Sequence, residues 1–447
     1  MLEKQKWMYF PADMDIEWRQ ALDEGKDVAG LRGACLEVSK RPRCAQTETE
    51  AEELLRRIDA APPAAGYAYV EPSDLASILA ARPPSIPLPG GTPDRKTLED
   101  KITGAWLGRV AGCLLGKPVE GFLKRRLDAL LKATGNYPLS RYMEFGDFTP
   151  ALAEELKLSA SACWADTTGG FAPVDDDTNY TVLALKIVET FGMDFRPADV
   201  LEAWLFCLPM FATFTAERAA YRNAAAGLLP PATALRHNPY REWIGAQIRG
   251  DFYGYIHPGN PEAAAETAWR DASVSHVKNG IYGEMFVAAM ISAAAVCGEA
   301  ERVVEAGLAQ IPRHSRLAEA VRGVLEQRAA GLPFEEVAAG IHSRYDESQS
   351  HGWCHTVPNA MIVAAALLYG GLDFGKTVCL AVSCAFDTDC NGATAGSVLG
   401  MMLGAGGVPA YWRAPFANGV RTSIPDYAVV TAQEFAAKTL AFAAPAP

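Results

Sequence analysis

Two stretches of this sequence carry glycine at every fourth position: residues 101–121, KITGAWLGRVAGCLLGKPVEG, and residues 391–407, NGATAGSVLGMMLGAGG. Glycine is a poor helix former that costs about 1 kcal/mol relative to alanine, so its repetition inside two apolar runs needs a reason. Positions four residues apart share one face of an α-helix, and glycine lets another backbone approach that face closely. We therefore predict two tightly packed helices near the centre of the protein. Packing of these two helices against each other is one arrangement that would satisfy the pattern.

Most of the remaining chain has the pattern of helices. From Thr97 onward, apolar residues recur every three to four positions in alanine-rich segments, and strand-like alternation is scarce. We predict an all-α protein with one compact multi-helix domain at 96–447. Residues 1–95 are expected to form an N-terminal extension of short helices that ends in a Pro/Gly-rich linker. Residues 205–260, rich in proline, glycine and aromatic residues, are expected to form a long loop region near a site.

The composition limits the classes of partner. The chain has 447 residues, a hydrophobic fraction of 49% and a formal net charge of −12, which argues against nucleic acid and anionic membranes as partners. The ten cysteines are scattered without paired motifs, so free thiols and a cytoplasmic location are expected. The N-terminus lacks a signal-peptide pattern. The uncharged stretch 391–412 contains several glycines and Pro409, and we expect a buried helix there rather than a membrane span.

Three consecutive aspartates, Asp175, Asp176 and Asp177, precede an apolar helical run, NYTVLALKIVETF. The simplest explanation is helix capping, for which one aspartate would suffice. Three adjacent carboxylates repel one another unless a cation lies among them, and oxygen ligands suit a divalent cation. All three aspartates are therefore candidate metal ligands.

A second acidic pair, Asp387 and Asp389, follows the apolar run TVCLAVSCAF and also precedes a helix. Burying unpaired carboxylates costs free energy, so carboxylates next to a buried segment are hard to explain as ordinary surface charges. The pair with nearby Asn391 resembles part of a calcium loop, but the glycine and glutamate of an EF-hand are absent at the required spacing. We predict that the two acidic helix starts converge on one site for Mg²⁺ or Mn²⁺, which carboxylates suit better than they suit zinc.

Glu120 lies in the motif GKPVEG, where the first glycine-striped helix is expected to end. Taken alone, it is equally well explained as a surface residue. If the two striped helices meet, Glu120 lies near the metal site and is a candidate for acid–base or gating work. The sequence has no Gly-x-Ser-x-Gly elbow, Walker loop or HExxH motif, so serine-hydrolase, NTPase and zinc-protease chemistries are not indicated.

Three motifs in this order, GAWLGRVAGCLLGKPVEG, DDDTNYTVLAL and DTDCNGATAGSVLGMMLGA, resemble the ADP-ribosylglycohydrolase family. That family includes dinitrogen-reductase-activating glycohydrolases, ADP-ribosyl-acceptor hydrolases and a lens crystallin. The resemblance spans roughly residues 100–410 and excludes the N-terminal extension. Each motif alone is weak, and their order and spacing make the match specific.

The resemblance implies an all-α fold and a site for two magnesium ions. Carried over to this sequence, Asp176 and Asp177 match the early metal ligands, Asp387 and Asp389 match the late ones, and Glu120 matches a glutamate near the metals. The ions would hold the ribose diol and the attacking water while an N- or O-glycosidic bond of an ADP-ribosylated protein or small molecule breaks. Glu120, Asp177 and Asp387 are the candidate catalytic residues.

Two departures from the family pattern affect the metal ligands. Asp175 stands where a threonine or serine is usual and adds a negative charge to the site. Cys390 stands where a late threonine or serine is usual, and a thiol is a poor ligand for magnesium.

A third departure affects substrate binding. Residues 244–249, IGAQIR, resemble the family's phosphate loop but contain fewer glycines, which weakens the expected cradle for a diphosphate. The candidate substrate-binding residues are Gly245, Gln247, Arg249, Tyr253 and His276. His355, Trp353 and Tyr255 are further aromatic candidates, for which structural packing is an equally good explanation.

Three functions remain open from the sequence. The first is a magnesium-dependent hydrolase that removes ADP-ribose from an acceptor. The second keeps the two-metal site but acts as an N-glycosidase on another ribosylated nucleotide or nucleoside. The third is a non-catalytic ADP-ribose-binding or structural protein, against which the retained aspartates argue.

Overall fold

The computed structural model describes residues 6–89, 91, 93–161 and 163–443, and it is predominantly helical, which confirms the all-α prediction. The N-terminal helices are α1 (Met14–Asp23), α2 (Arg32–Ser39), α3 (Ala45–Asp59) and α4 (Leu75–Ala81). The helices that follow are α5 (Arg95–Gly116), α6 (Lys124–Ala133), α7 (Pro150–Glu155), α8 (Asp176–Phe191), α9 (Pro197–Cys207), α10 (Thr215–Ala225), α11 (Ala232–Leu235), α12 (Asp251–Tyr255), α13 (Pro261–Ala272), α14 (Lys278–Ala294), α15 (Ala300–Leu308), α16 (Arg316–Ala329), α17 (Phe334–Arg344), α18 (Ser350–Cys354), α19 (Thr356–Gly370), α20 (Phe374–Ser383), α21 (Thr388–Leu403), α22 (Ala410–Arg413) and α23 (Ala432–Leu440).

The two glycine-striped helices, α5 and α21, pack against each other along their whole stripe. A Cβ atom added at Gly108 would collide with the carbonyl oxygen of Gly396, and one at Gly112 would collide with that of Gly392. Any larger residue at these positions would therefore force the two backbones apart. The predicted close packing is confirmed, and the two helices pack against each other.

Helices α14 and α19 lie in the core next to this pair. Nearly every residue of both helices is buried, including the polar ones. Such helices lack a solvent-facing side, which explains why their apolar residues run almost without interruption rather than in one stripe. No helix among the described residues is long and apolar enough to cross a membrane. Of the stretch 391–412 that is predicted to be one buried helix, residues 391–403 lie in the buried helix α21, which ends at Leu403.

Three short strands form a small sheet at the edge of the helical body. Strand β1 (Phe171–Ala172) is parallel to β2 (Gly419–Arg421), which is antiparallel to β3 (Val429–Val430). Because β1 comes just before the three aspartates of 175–177, its pairing with β2 fixes the entry of the chain into α8.

The N-terminal region has a small hydrophobic cluster of its own. Its members come from the first three helices and the turn between α1 and α2: Met14, Ala21, Val28, Cys35, Val38, Ala51, Leu54 and Ile58. The segment after α3 lies along the helical body, where Trp269 donates a hydrogen bond to the carbonyl of Ser73 (2.9 Å) and the Arg313 amide donates to Ala81 (3.0 Å). The region 205–260 contains the short helices α10, α11 and α12 joined by irregular turns.

Candidate metal centre

The glycine stripe places the end of α5 on the start of α21. A Cβ atom at Gly116 would collide with the backbone of Thr388, whose hydroxyl donates to the Gly116 carbonyl (2.9 Å). After Gly116 the chain makes a single 3-10 turn, Lys117–Val119, and reaches Glu120. The close approach of the two helices therefore brings the GKPVEG motif next to the Asp387–Asp389 pair.

Helix α8 contributes the first acidic cluster at its N-terminus. The Asp175 side chain accepts a hydrogen bond from the Asp177 amide (2.9 Å) and caps the helix. Asp177 is fully buried, and the Arg109 guanidinium donates to its carbonyl oxygen and to its Oδ1 (3.1 Å). Its other oxygen, Oδ2, has no hydrogen-bond partner among the described residues.

The structure brings the two acidic helix starts together. Ligand atoms of Asp177, Asp389 and Cys390 lie within 4.8 Å of one another, and so do those of Glu120, Asp387 and Asp389. Asp389 belongs to both groups, so it lies between the carboxylates of the early and the late motif. The sequence-predicted candidates Glu120, Asp177, Asp387 and Asp389 thus share one centre.

Lys117 lies in the middle of this centre. Its Nζ atom is 2.7 Å from Asp175 Oδ2, 2.9 Å from Asp389 Oδ2 and 2.8 Å from Glu120 Oε2. We call these four residues the lysine cluster. Burial alone would lower the pKa of Lys117, but the carboxylates of Asp389 and Asp175 raise it well above its usual value, so the side chain is an ammonium ion.

With every carboxylate ionised, the centre would carry excess negative charge. The neighbouring charge of Asp389, together with burial, raises the pKa of Glu120 to about 8, and burial beside Asp175 raises that of Asp176 to about 7. Burial also raises the pKa values of Asp177 and Asp387 well above the usual range. Although burial opposes it, the Lys117 ammonium lowers the pKa of Asp389. One lysine therefore does not neutralise the centre.

These donor groups fit a divalent cation. Carboxylate oxygens from two helix starts converge, and Asp177 Oδ2 is a buried acceptor without a partner. Such a set suits a hard ion such as magnesium or manganese. Two thiols, Cys113 and Cys390, also lie among the acidic groups. Burial raises the pKa of each thiol well above its usual value, which favours the protonated form and makes both poor ligands for a hard cation.

Three residues at this centre were not predicted from the sequence: Arg109 and Cys113 of α5, and Lys117 directly after it. Each follows a stripe glycine, at 108, 112 and 116, by one position. They therefore share a helix face beside the stripe, which points toward α21 and α8. A polar residue recurring every fourth position next to a glycine stripe was the signal that could have found them.

The predicted substrate loop at 244–249 lies beneath the surface. Arg249 is fully buried and forms ion pairs with Glu217, Asp271 and Glu284, which with Arg249 we call the arginine cluster. Its remaining N–H groups point to backbone carbonyls of Gly245 (3.3 Å) and Asp271 (3.3 Å). Arg249 thus donates four hydrogen bonds inside the protein, and Glu284 lies 3.4 Å from it as a further ion-pair partner.

The other candidates of this loop region are also buried. A Cβ atom at Gly245 would collide with the Glu217 carboxylate, and Gln247 is buried without a hydrogen-bond partner for its amide among the described residues. Tyr253 donates to Asp271 Oδ2 (2.7 Å). Burial lowers the pKa of His276 well below its usual value, so the ring is neutral. These side chains face the arginine cluster or the core, not solvent.

Among the aromatic candidates, only Trp353 lies at the edge of the metal centre. It is half-buried, and its indole N–H donates to the carbonyl of Phe386 (2.7 Å), the residue before Asp387. Tyr255 is in the core, where its hydroxyl pairs with Ser397 (2.6 Å) and its ring contacts Trp106.

A further group with metal-ligand residue types, Asp23, His351 and His355, lies between α1 and the body. His351 Nδ1 accepts a hydrogen bond from the Trp243 indole (3.2 Å), and His355 Nδ1 accepts one from the Val357 amide (3.1 Å). In the neutral ring the proton is therefore on Nε2, which in His351 lies 2.9 Å from Asp23. Neither histidine offers Nε2 as a metal ligand in this arrangement, and the group ties the N-terminal extension to the body.

Comparison with known proteins agrees with these motifs. A family model described as ADP-ribosylglycohydrolase matches residues 94–440. No curated protein matches. A solved structure described as "ADP-ribosylglycohydrolase-related protein complex" has 20% sequence identity and a TM-score of 0.48, and the match covers 78% of this chain and 98% of that one.

Proposed function

The chain belongs to the ADP-ribosylglycohydrolase family, and from this premise we propose that it is a metal-dependent hydrolase that cleaves the ribosyl glycosidic bond of an ADP-ribosylated acceptor. Membership supports a glycosylhydrolase-type enzyme of a metal-dependent family. Beyond this, we propose that the metal is magnesium and that the substrate is an ADP-ribosylated acceptor, and we assign the residue roles given below.

One observation carries the proposal. Carboxylates from two helix starts that are far apart in the sequence meet at Asp389, within reach of both Asp177 and Asp387. Clusters of buried carboxylates are unfavourable unless a cation compensates for them, and this one lies where the end of α5 meets the starts of α8 and α21, beside the exposed Glu120. The buried Asp177 Oδ2, which has no hydrogen-bond partner among the described residues, supports a bound ion here.

We assign roles to this chain's residues as follows. Asp176, Asp177, Asp387 and Asp389 are the ligands of the ion, which when bound supplies Lewis acidity to sugar hydroxyls and a water of lowered pKa. Arg109 holds the Asp177 carboxylate through Oδ1 and leaves Oδ2 free for the ion. Asp175 caps α8 through Oδ1 and pairs with Lys117 through Oδ2, so both of its carboxylate oxygens have partners.

Glu120 is the proposed acid–base residue. Its side chain is 40% exposed, in contrast to the buried Asp387 and Asp389 with which it shares the centre. A carboxyl group at the mouth of a glycosidase site can transfer a proton to or from the reacting group. The ion pair with Lys117 fixes its position relative to Asp389.

The buried arginine cluster favours a second candidate for the substrate. Because Arg249 is fully buried and ion-paired with Glu217, Asp271 and Glu284, its guanidinium is not accessible to a diphosphate in this conformation. In our proposal Arg249 positions the loop at 244–249 rather than binding phosphate. A ligand without a diphosphate, such as a simple ribosylated nucleoside, is therefore the alternative substrate class, with the same metal centre.

The proposal is tested by incubating the protein with ADP-ribosyl-arginine, ADP-ribosyl-serine and simple nucleosides, each with magnesium and with a chelator. We expect magnesium-dependent release of ADP-ribose from one of the first two substrates. Release of base from a nucleoside alone would select the second candidate. Binding of ADP-ribose in calorimetry with no turnover of any substrate would contradict both and favour a non-catalytic protein.

Matched variants test the ligands. Asp387→Ala and Asp177→Ala are expected to abolish turnover while the helical circular dichroism spectrum stays near that of the unmodified protein. The control is Asp426→Ala, which removes a surface carboxylate paired with Lys186 and should leave turnover intact. Full activity of either site variant would show that the assigned ligands are wrong.

A further inference from the structure

Lys117 occupies a position in the centre where a cation is expected. Its ammonium group contacts one oxygen each of Asp175, Asp389 and Glu120, at 2.7, 2.9 and 2.8 Å. Three carboxylates around one small cation resemble the coordination shell of a metal ion more than a surface salt bridge. The backbone makes this possible, because the 3-10 turn after α5 directs the residue after the last stripe glycine toward α8 and α21.

We propose that the Lys117 ammonium is a built-in cation that fills one of the two cation positions of this centre, so that the protein binds a single divalent ion. This inference rests on the proposed function, because it assumes that the remaining carboxylates hold a metal. Where a two-metal centre would place two ions, this chain would use one ion and one lysine.

Charge and space support this exchange. A magnesium ion bound to the same oxygens would lie about 2.0–2.1 Å from them, so it and the ammonium cannot both contact Asp389 Oδ2 and Asp175 Oδ2 without close repulsion. The chain places an extra carboxylate, Asp175, beside the extra lysine, and the two pair directly. A monovalent cation with its own counter-ion thus replaces one divalent ion.

The carboxylates that Lys117 leaves uncontacted define where the single ion binds. The ion pairs of Lys117 among the described residues do not include Asp176, Asp177 or Asp387. Asp177 Oδ2 is buried without a hydrogen-bond partner in the described chain, and ligand atoms of Asp177 and Asp387 each lie within 4.8 Å of one on Asp389. We assign the metal to this side of the centre.

The experiment counts metal ions and needs no substrate. Metal-free protein is titrated with Mn²⁺, and bound manganese is measured by calorimetry and by electron paramagnetic resonance. We expect one ion per chain with the spectrum of an isolated Mn²⁺. In Lys117→Ala we expect two ions per chain and a spin-coupled spectrum, because two ions in such centres lie about 3.5–4 Å apart. Lys186→Ala, which removes a surface lysine paired with Asp426, is the control and should bind one ion.

Each other outcome has a defined meaning. Two ions in the unmodified protein would show that Lys117 yields its position to a metal, which overturns this inference and leaves the proposed function standing. One ion in folded Lys117→Ala would also overturn it, because the lysine would then fill no metal position. No bound manganese in the unmodified protein would overturn both this inference and the proposed metal-dependent function. If Lys117→Ala does not fold, Lys117→Met takes its place and its ion count is interpreted in the same way.

Discussion

The lysine cluster and the arginine cluster have the same composition, three carboxylates around one basic side chain, but they differ in exposure. In the lysine cluster the side chains of Lys117 and Glu120 are 24% and 40% exposed. In the arginine cluster no side chain is more than 3% exposed. The first opens to solvent at the tips of α5, α8 and α21, whereas the second is sealed among the helices α10, α13 and α14.

This difference assigns opposite roles to two similar sets of residues. A lysine ammonium is a compact point charge on a flexible chain, whereas an arginine guanidinium offers five N–H groups in a fixed plane. In the sealed cluster the buried Arg249 is ion-paired with carboxylates from three helices, so the cluster holds those helices together. Next to the open cluster, the carboxylates of Asp177 and Asp387 are not contacted by Lys117, and these are the groups that can bind an ion. Composition alone does not separate a structural charge cluster from a functional one, but the exposure of its side chains does.

The largest effect is expected from breaking the sealed cluster. Arg249→Met leaves the carboxylates of Glu217, Asp271 and Glu284 buried without a counter-charge, which costs about 3–5 kcal/mol in the free energy of unfolding. Burial already raises the pKa values of Glu217 and Glu284, and loss of the guanidinium raises them further. Since a folded-state pKa above the unfolded value destabilises at higher pH, the loss measured by urea denaturation should be greater at pH 8 than at pH 5.

The matched control for this prediction is Lys117→Met in the presence of magnesium. Because the lysine cluster reaches water and a divalent ion can replace the ammonium, its free energy of unfolding should change by less than about 1 kcal/mol. Equal destabilisation by the two variants would show that both clusters are structural and would end the distinction.

A second test exchanges one glutamate of each cluster for glutamine. Glu120→Gln keeps the shape of the proposed acid–base residue but removes its proton transfer, so kcat should fall about 100-fold with little change in unfolding free energy. Glu217→Gln weakens a charged hydrogen bond to Arg249 (2.6 Å), so it should destabilise the protein by about 1.5–3 kcal/mol and leave the kcat of folded protein unchanged. A similar fall in kcat for both variants would contradict the assignment.

The parts of the fold that the sequence predicts are those with a local pattern. Glycine at every fourth position in two stretches predicts two close-packed helices because the spacing matches the helical period. The carboxylate pairs predict a metal centre because their residue types restrict the chemistry. Asp177, Asp387 and Asp389 are therefore identifiable before the structure is known, and the helix stripe that leads to them indicates where they meet.

The arginine cluster could not be predicted in this way. Glu217, Asp271 and Glu284 come from three helices and are separated by no repeating interval, so only the packing of those helices brings them to Arg249. Arg249 is predicted to bind substrate because residues 244–249 resemble the family's phosphate loop, and the sequence does not show its internal partners. Lys117 was overlooked for the same reason: the carboxylates that surround it come from distant segments and from the next turn.

The smallest effect is expected at the rim of the open cluster and concerns substrate binding. Trp353 is half-buried and is held by its indole N–H on the carbonyl of Phe386 (2.7 Å), next to Asp387. If the ligand carries a base, stacking on this ring contributes about 1–3 kcal/mol, so Trp353→Ala should raise KM about tenfold with kcat nearly unchanged. Trp353→Phe keeps a ring but loses the hydrogen bond, so an intermediate KM is expected. A fall in kcat with unchanged KM in the alanine variant would instead indicate that Trp353 positions Asp387 for catalysis and does not bind the base.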